Sequence, residues 1–298
     1  MVNSINEEHV NPEYLSDFTL SELITATTDL QHALETCDLL VLAIPTQLVP
    51  GWLAEHKEEL RPDLLVCNTA KGLYLKDKML LSEAVQRALG REQPYALLSG
   101  PSFAQDIMEG SPTAVVIASK YLYNAVLIQR MLSSLIFRIY TSQDLIGVEL
   151  GGALKNPLAI GAGMIEGMGL GINTMAAYVT MSCNELQMLC KAMGGEPQTI
   201  SGLAGVGDLM LTAFGEQSRN RRLGKRLTKG ESLAEITAHM TVEGVPTASV
   251  AIHFADKCGL ELPIFRTVAA ILEGEMKIED AHIHLMGRPL RAVHHERP

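Results

Sequence analysis

The chain has 298 residues, 47% of them hydrophobic and 19% charged. That composition belongs to a globular protein with room for one large or two ordinary domains, and it excludes a disordered chain. The formal net charge of -10 argues against a dedicated nucleic-acid surface, which needs lysine and arginine to neutralise phosphates, but it leaves room for a small anionic substrate. The five cysteines (37, 67, 183, 190 and 258) are odd in number and scattered with no CxxC pair, so a disulfide framework is not expected and a reducing, cytoplasmic setting is. No apolar run reaches the length of a membrane span.

The first half alternates. The runs "LLVLAIP" (39–45), "LLVCNTAKG" (64–72), "YALLSGPSF" (95–103) and "TAVVIAS" (113–119) are short, apolar and closed by turn-forming residues. Segments 47–60, 77–90 and 121–134 between them have helical spacing. The pattern predicts buried parallel strands in βαβ units, with ligands beyond the strands' carboxyl ends, where "AIPT", "TAKG" and "SGPSF" lie.

From about residue 143 onward no strand is expected. Long helices are predicted near 144–166, 173–193 and 204–214. Leu145, Val148, Gly152, Lys155 and Ala159 recur at three- and four-residue steps, which places Lys155 on an apolar helix face. Pro157, two residues on, predicts a kink. The expected architecture is therefore a partial Rossmann-like α/β domain over 1–142 followed by an all-helical substrate domain over 143–298.

Three glycine clusters, "GAGMIEG" (161–167), "GMGLG" (167–171) and "GLAGVG" (202–207), mimic a nucleotide fingerprint. None follows a strand, so close helix packing or helix termination is the better reading. His282, His284, His294 and His295 sit in a polar stretch without ligand partners at metal spacing, and no metal site is expected.

Four stretches remain as candidate chemistry. In "NTAKG", Lys71 follows a strand end. In "SGPSFA", Gly100 permits close approach, Pro101 suits a helix first turn, and Ser102 and Ala104 offer backbone donors at an anion-suited helix start. "GALKN" holds Lys155. In "GVGDLMLTAFGEQSRN", Asp208 and Thr212 lie four apart on one helix face and Ser218, Arg219 and Asn220 follow. Together they suit a small phosphorylated substrate undergoing proton transfer.

In order and spacing, "NTAKG", "LSGPSFA", "GVELGGALKNPLAIGAG", "GLGINTMAAYV", "GLAGVGDLMLT", "SRNRRLG" and "VEGVPTA" resemble the NAD(P)-dependent sn-glycerol-3-phosphate dehydrogenases over nearly the whole chain. The resemblance implies interconversion of dihydroxyacetone phosphate and sn-glycerol 3-phosphate by hydride transfer, for glycerophospholipid synthesis, with NAD or NADP as cofactor and a homodimer as the assembly. It implies Lys155 as acid/base with Asp208 beside it. It implies substrate contacts at Lys71, Gly100, Ser102, Lys155, Asp208, Thr212, Ser218, Arg219 and Asn220, and cofactor contacts at Lys71, Ala104, Arg219, Thr241 and Glu243. Family members usually carry a cation at the position of Met175 and often an arginine at Met181. The start "INEEHVNPEYL" resembles family sequence that follows the second Rossmann strand, so a first βαβ unit of roughly 30 residues or more, with its GxGxxG, is expected to be lacking. Two alternatives stand beside this reading: a noncatalytic remnant acting as an oligomerisation module, and another two-domain hydroxyacid dehydrogenase.

Overall fold

In a computed structural model, residues 1–289 are described. The chain divides into two compact units, Met1–Glu149 and Leu150–Pro298.

The first unit opens with a π-helical turn, Ser4–Glu8, and an irregular stretch. It continues through α1 (Leu30–Glu35), β1 (Leu39–Leu42), α2 (Val49–Glu55), β2 (Leu65–Asn68), α3 (Leu81–Leu89), β3 (Tyr95–Ser99), α4 (Ala104–Met108), β4 (Thr113–Ala118), α5 (Leu122–Leu132) and β5 (Phe137–Ser142). Local chemistry sets the helix ends. The Asp29 side chain accepts from the His32 amide at the start of α1, and Gly90 closes α3 in the left-handed conformation with φ of 65°.

The five strands form one sheet in the order β1-β2-β3-β4-β5. β1, β2 and β3 are parallel, with Leu39 beside Leu65 and Val66 beside Tyr95. This is the Rossmann-like arrangement expected from the apolar runs, except that β1, expected to be buried, is an edge strand in which only Leu42 is buried and Val41 is exposed. β4, however, pairs with β3 in the antiparallel sense, and β5 runs parallel to β4. The reason is the short α4: five residues of helix do not make a full crossover, so the chain turns back instead. β5, "FRIYTS", is a strand that the sequence reading missed. It is an edge strand and half exposed, so it lacks the continuous apolar run that marks the others. One face of the sheet buries Leu65, Cys67, Ala96, Leu98, Val115, Ile117 and Ile139 against Ala125 and Ile128 of α5.

The second unit is all helical among the described residues. It is built from α6 (Leu145–Gly167), which begins in the first unit, then α7 (Ile172–Ala192), α8 (Pro197–Ile200), a π-helical turn Leu203–Gly207, α9 (Asp208–Phe214), α10 (Arg219–Leu227), α11 (Leu233–Ala238), α12 (Gly244–Lys257), α13 (Pro263–Leu272) and α14 (Ile278–Met286). α6 continues through Pro157 as one helix. Residues 147–165 of it are all buried, so Lys155 sits in a helix with no wet face over that span rather than on one side of an amphipathic helix.

Glycines of the clusters at 161–167 and 202–207 act in packing, whereas Gly169 and Gly171 meet nothing within 4 Å and Gly169, with φ of 69°, follows the end of α6. A Cβ on Gly151 would meet the Ala204 carbonyl, one on Gly161 the Tyr178 hydroxyl, and one on Gly205 the backbone of Ile200. A Cβ on Gly163 would strike the Arg221 carbonyl, and one on Gly224 the Ile160 carbonyl. The last two show α6 and α10 crossing backbone to backbone. Ile160, Met164, Leu223, Ile236 and Val242 form a core around that crossing. No helix among the described residues is long and apolar enough to cross a membrane. His294 and His295 lie outside the described residues.

Candidate active site

The second unit holds a buried ion pair. Lys155 is 6% exposed and Asp208 is fully buried, and the Lys155 ammonium donates to Asp208 Oδ1. It also donates to Thr212 Oγ1 at 2.7 Å, while the Thr212 hydroxyl donates to the Asp208 carbonyl at 2.6 Å. Asp208 opens α9, and the four-residue step to Thr212 sets both side chains on the face that meets α6. Thr212 therefore turns an oxygen lone pair toward the lysine. Taking a lysine and a carboxylate out of water costs several kcal/mol each, on the order of what their close pairing regains. The result is a buried cation held in one place.

The segment after α9 is tied to the same place. Ser218 caps α10, its Oγ accepting from the Arg221 amide at 3.2 Å. Asn220 is buried and bridges three segments: its Nδ2 donates to Asn156 Oδ1 at 3.0 Å, and its Oδ1 accepts from the Gly244 amide at 3.0 Å. The residue after Lys155 is thus bonded to the residue after Arg219. Gly244 must be glycine-sized here, since a Cβ would sit 2.5 Å from Asn220 Oδ1 and 2.8 Å from the Asn156 carbonyl.

Arg219, the first residue of α10, is exposed. Burial pushes the Glu243 carboxyl above its ordinary range, and the nearby positive charge of Arg219 pulls it back in part. Arg219 and Glu243 are therefore neighbours, whereas Thr241 is an exposed residue before α12. Of the two departures on α7, Met175 is buried and Met181 is 50% exposed.

In the first unit, Lys71 lies beyond the carboxyl end of β2 and Gly100 beyond that of β3. The Lys71 ammonium donates to the Gly100 carbonyl at 2.6 Å and to Ser102 Oγ at 3.2 Å; the Ser102 hydroxyl donates to the same carbonyl at 3.0 Å. Gly100 has φ of 119°, a conformation that side chains rarely adopt, and this swings its carbonyl to the lysine. The expectation for "SGPSFA" needs correction. Pro101 and Ser102 precede the helix, Phe103 is its N-cap and Ala104 its first residue. The helix is a little over one turn, so its dipole is slight. Lys71 and Ser102, rather than a helix start, shape this corner.

Lys71, Gly100 and Ser102 are thus brought together in one unit, and Lys155, Asp208, Thr212, Ser218, Arg219 and Asn220 in the other. The Asn156–Asn220 bond, and a contact of Glu166 in α6 with Arg221 and Lys225 of α10, were missed from the sequence. The signal for Glu166 was present: it is the one carboxylate in α6 after Glu149, and α10 carries five cations in nine residues.

Among the described residues no cluster of three or more histidine, cysteine or acidic groups is placed to hold a metal. For a dinucleotide the fit is partial. Parallel β1, β2 and β3 end in adjacent loops, where Gly72 packs on Thr46 and Gln47 bonds the backbone of Leu73 and Leu75. Among the described residues no glycine-rich turn joins a strand to a helix as a pyrophosphate cradle. A concavity of about 400 Å³ in the first unit, lined by Ser82, Tyr95, Lys120 and Tyr121 among others, lies at the amino end of β3, away from Lys71.

The fold class is that of the two-unit dehydrogenases, a Rossmann-like sheet unit followed by a helical one. The N-terminal domain of NAD-dependent glycerol-3-phosphate dehydrogenase matches residues 1–125, and the C-terminal domain matches residues 144–282. A chloroplastic glycerol-3-phosphate dehydrogenase (NAD+) of Oryza sativa is 44% identical over 96% of this chain and 66% of its own length. A glycerol-3-phosphate dehydrogenase (NAD(P)+) of Syntrophomonas wolfei is 39% identical over 96% of this chain and 85% of its own. The crystal structure of the Coxiella burnetii glycerol-3-phosphate dehydrogenase superimposes with a TM-score of 0.89 at 34% identity, over 96% of this chain and 88% of that one. The chain belongs to the NAD(P)-dependent glycerol-3-phosphate dehydrogenase family, and is an oxidoreductase.

Proposed function

We propose that this chain interconverts dihydroxyacetone phosphate and sn-glycerol 3-phosphate, with Lys155 as the acid/base. The observation that carries this reading is the buried Lys155–Asp208–Thr212 cluster, bonded through Asn156 and Asn220 to the helix start that presents Arg219.

When bound, the reduced nicotinamide supplies a hydride to the substrate's carbonyl carbon. Lys155 then holds the proton that the carbonyl oxygen takes, so that no alkoxide builds up. Its ammonium suits this because a lysine releases a proton far more readily than an arginine. Asp208 balances the charge of the ammonium and Thr212 fixes its direction, and solvent restores the proton once it has been given up. In the reverse direction the neutral amine would accept the alcohol proton while the oxidised cofactor, when bound, would take the hydride.

Arg219 recognises the phosphate, its guanidinium matching two oxygens at once. Ser218 and Asn220 hold Arg219 in place through the cap and the bridge, a supporting role beside the substrate contact expected of them. Lys71 and Ser102 bind the substrate's other oxygens, and Lys71, Ala104, Arg219, Thr241 and Glu243 contribute to cofactor binding. The scattered cysteines support a cytoplasmic setting, and a homodimer is the proposed assembly.

Calorimetric titration with glycerol 3-phosphate, with glycerol as control, tests the substrate class. Binding of the first alone is expected, and it should be lost in Arg219→Ala. Equal binding of both, or retention in Arg219→Ala, contradicts the phosphate role.

A further inference from the structure

One charged cluster in the second unit takes no part in the chemistry above. Glu166 lies at the end of α6, eleven residues beyond Lys155. The Arg221 guanidinium grips it with two prongs, Nε to Oε2 at 2.7 Å and one terminal nitrogen to Oε1 at 2.8 Å. Lys225 adds a bond to Oε1 at 2.6 Å. Arg221 is buried, with a side chain 9% exposed, while Glu166 and Lys225 are each about one third exposed. Partial burial works to raise the Glu166 carboxyl, but the bonds and charges of Lys225 and Arg221 outweigh it and hold the group below its ordinary range.

The position of this cluster matters more than its energy. α6 carries Lys155 and Asn156; α10 carries Arg219 and Asn220. The helices cross at Gly163 and Gly224. Glycines set how closely two helices approach, but two smooth backbones resist sliding only weakly. The two-pronged Arg221–Glu166 contact is directional and supplies what the glycines lack. It also sorts the cations of α10. Arg221 and Lys225 turn to Glu166, and Arg226 pairs with Glu231, while Arg219 remains exposed at the helix start.

We propose that Glu166 is a positioning residue for phosphate recognition: through Arg221 and Lys225 it fixes the register of α10 on α6 and so aims Arg219. The inference rests on the reading of Arg219 as the phosphate-binding group.

The test uses the full chain carrying Glu166→Gln, which keeps the shape and removes the charge. Dihydroxyacetone phosphate is compared with unphosphorylated dihydroxyacetone at saturating NADH or NADPH. A misaimed arginine should raise KM for the phosphorylated substrate about tenfold while kcat stays within about threefold. kcat/KM for dihydroxyacetone should not change. Arg221→Lys, which keeps the charge but loses the fork, should fall between wild type and Glu166→Gln, and Lys225→Gln should show a smaller shift of the same kind. Hydrogen exchange should quicken over 218–224 and not over 150–160.

Unchanged KM in Glu166→Gln, or an equal loss for both substrates, overturns the proposal. If Glu166→Gln does not fold, wild-type KM in both Arg221→Lys and Lys225→Gln overturns it. If the wild-type chain turns over neither substrate, the proposed function falls, and hydrogen exchange still decides the positioning claim: unchanged rates over 218–224 refute it.

Discussion

At the scale of the residue, one lysine stands where lysine is rarely found. Lys155 is tolerated because Asp208 and Thr212 meet its ammonium inside the helical unit. Its removal therefore has two effects. Lys155→Ala should abolish turnover, and it should also leave Asp208 as a buried carboxylate without its cation. Breaking a buried pair from one side costs about 3–5 kcal/mol, so the variant should remain folded with a clearly lower melting temperature. Parallel assays of turnover and thermal unfolding check this; near-normal turnover removes Lys155 from the acid/base role. The lysine itself was legible, since it stands out in "GGALKNPL". So was its partner Asp208, four residues before Thr212. The bridge by Asn220 was not. Nothing in the string "SRN" says that the asparagine turns inward to Asn156 and Gly244 rather than outward, because that depends on which residues α6 and α12 bring to it.

At the scale of the element, strands and long helices were legible and the sense of their pairing was not. The runs at 39, 64, 95 and 113 are β1 to β4, because continuous apolar stretches closed by turns have few other uses. The sense of β4 depended on how far the chain travels after β3, and the length of α4 is not written in periodicity. The glycines where α6 crosses α10 carry their own prediction. Gly163→Ala and Gly224→Ala each force a methyl group into a backbone carbonyl across the crossing. Overpacking of this kind costs about 1–3 kcal/mol, and more where backbone must move. Each variant should lower the midpoint of denaturant unfolding, whereas Gly51→Ala, which meets nothing within 4 Å, should be near neutral apart from helix propensity. Equal midpoints for all three would show that the crossing is looser than described.

At the scale of the whole molecule, two buried carboxylates far apart in sequence make stability depend on pH. Burial pushes the Glu149 carboxyl up to about 7, against the Ser82 hydroxyl and amide that donate to it and with Glu83 adding to the rise. Burial likewise pushes Glu185 up to about 7, against the Ile264 and Phe265 amides at the start of α13 and the charge of Arg288. Between the ordinary value of 4.5 and about 7 the folded chain then holds protons that the unfolded chain has released. Stability contributed by these groups is present below that window, falls as pH rises through it and levels off above it. Glu149→Gln and Glu185→Gln mimic the protonated form. Melting curves from about pH 5 to about pH 8 should show a shallower decline in each variant than in wild type. An unchanged slope would mean that neither group holds its proton in the fold. No sequence pattern announces these carboxylates, since burial is a property of the assembled helices.

The most direct measurement of the central claim follows NADH, and then NADPH, with the purified 298-residue chain. Cofactor oxidation is recorded on adding dihydroxyacetone phosphate, with glyceraldehyde 3-phosphate as control and Lys155→Ala alongside. Oxidation is expected with the first substrate, none with the control and none in the variant. Turnover that survives in Lys155→Ala, or oxidation that does not distinguish the two triose phosphates, would contradict it.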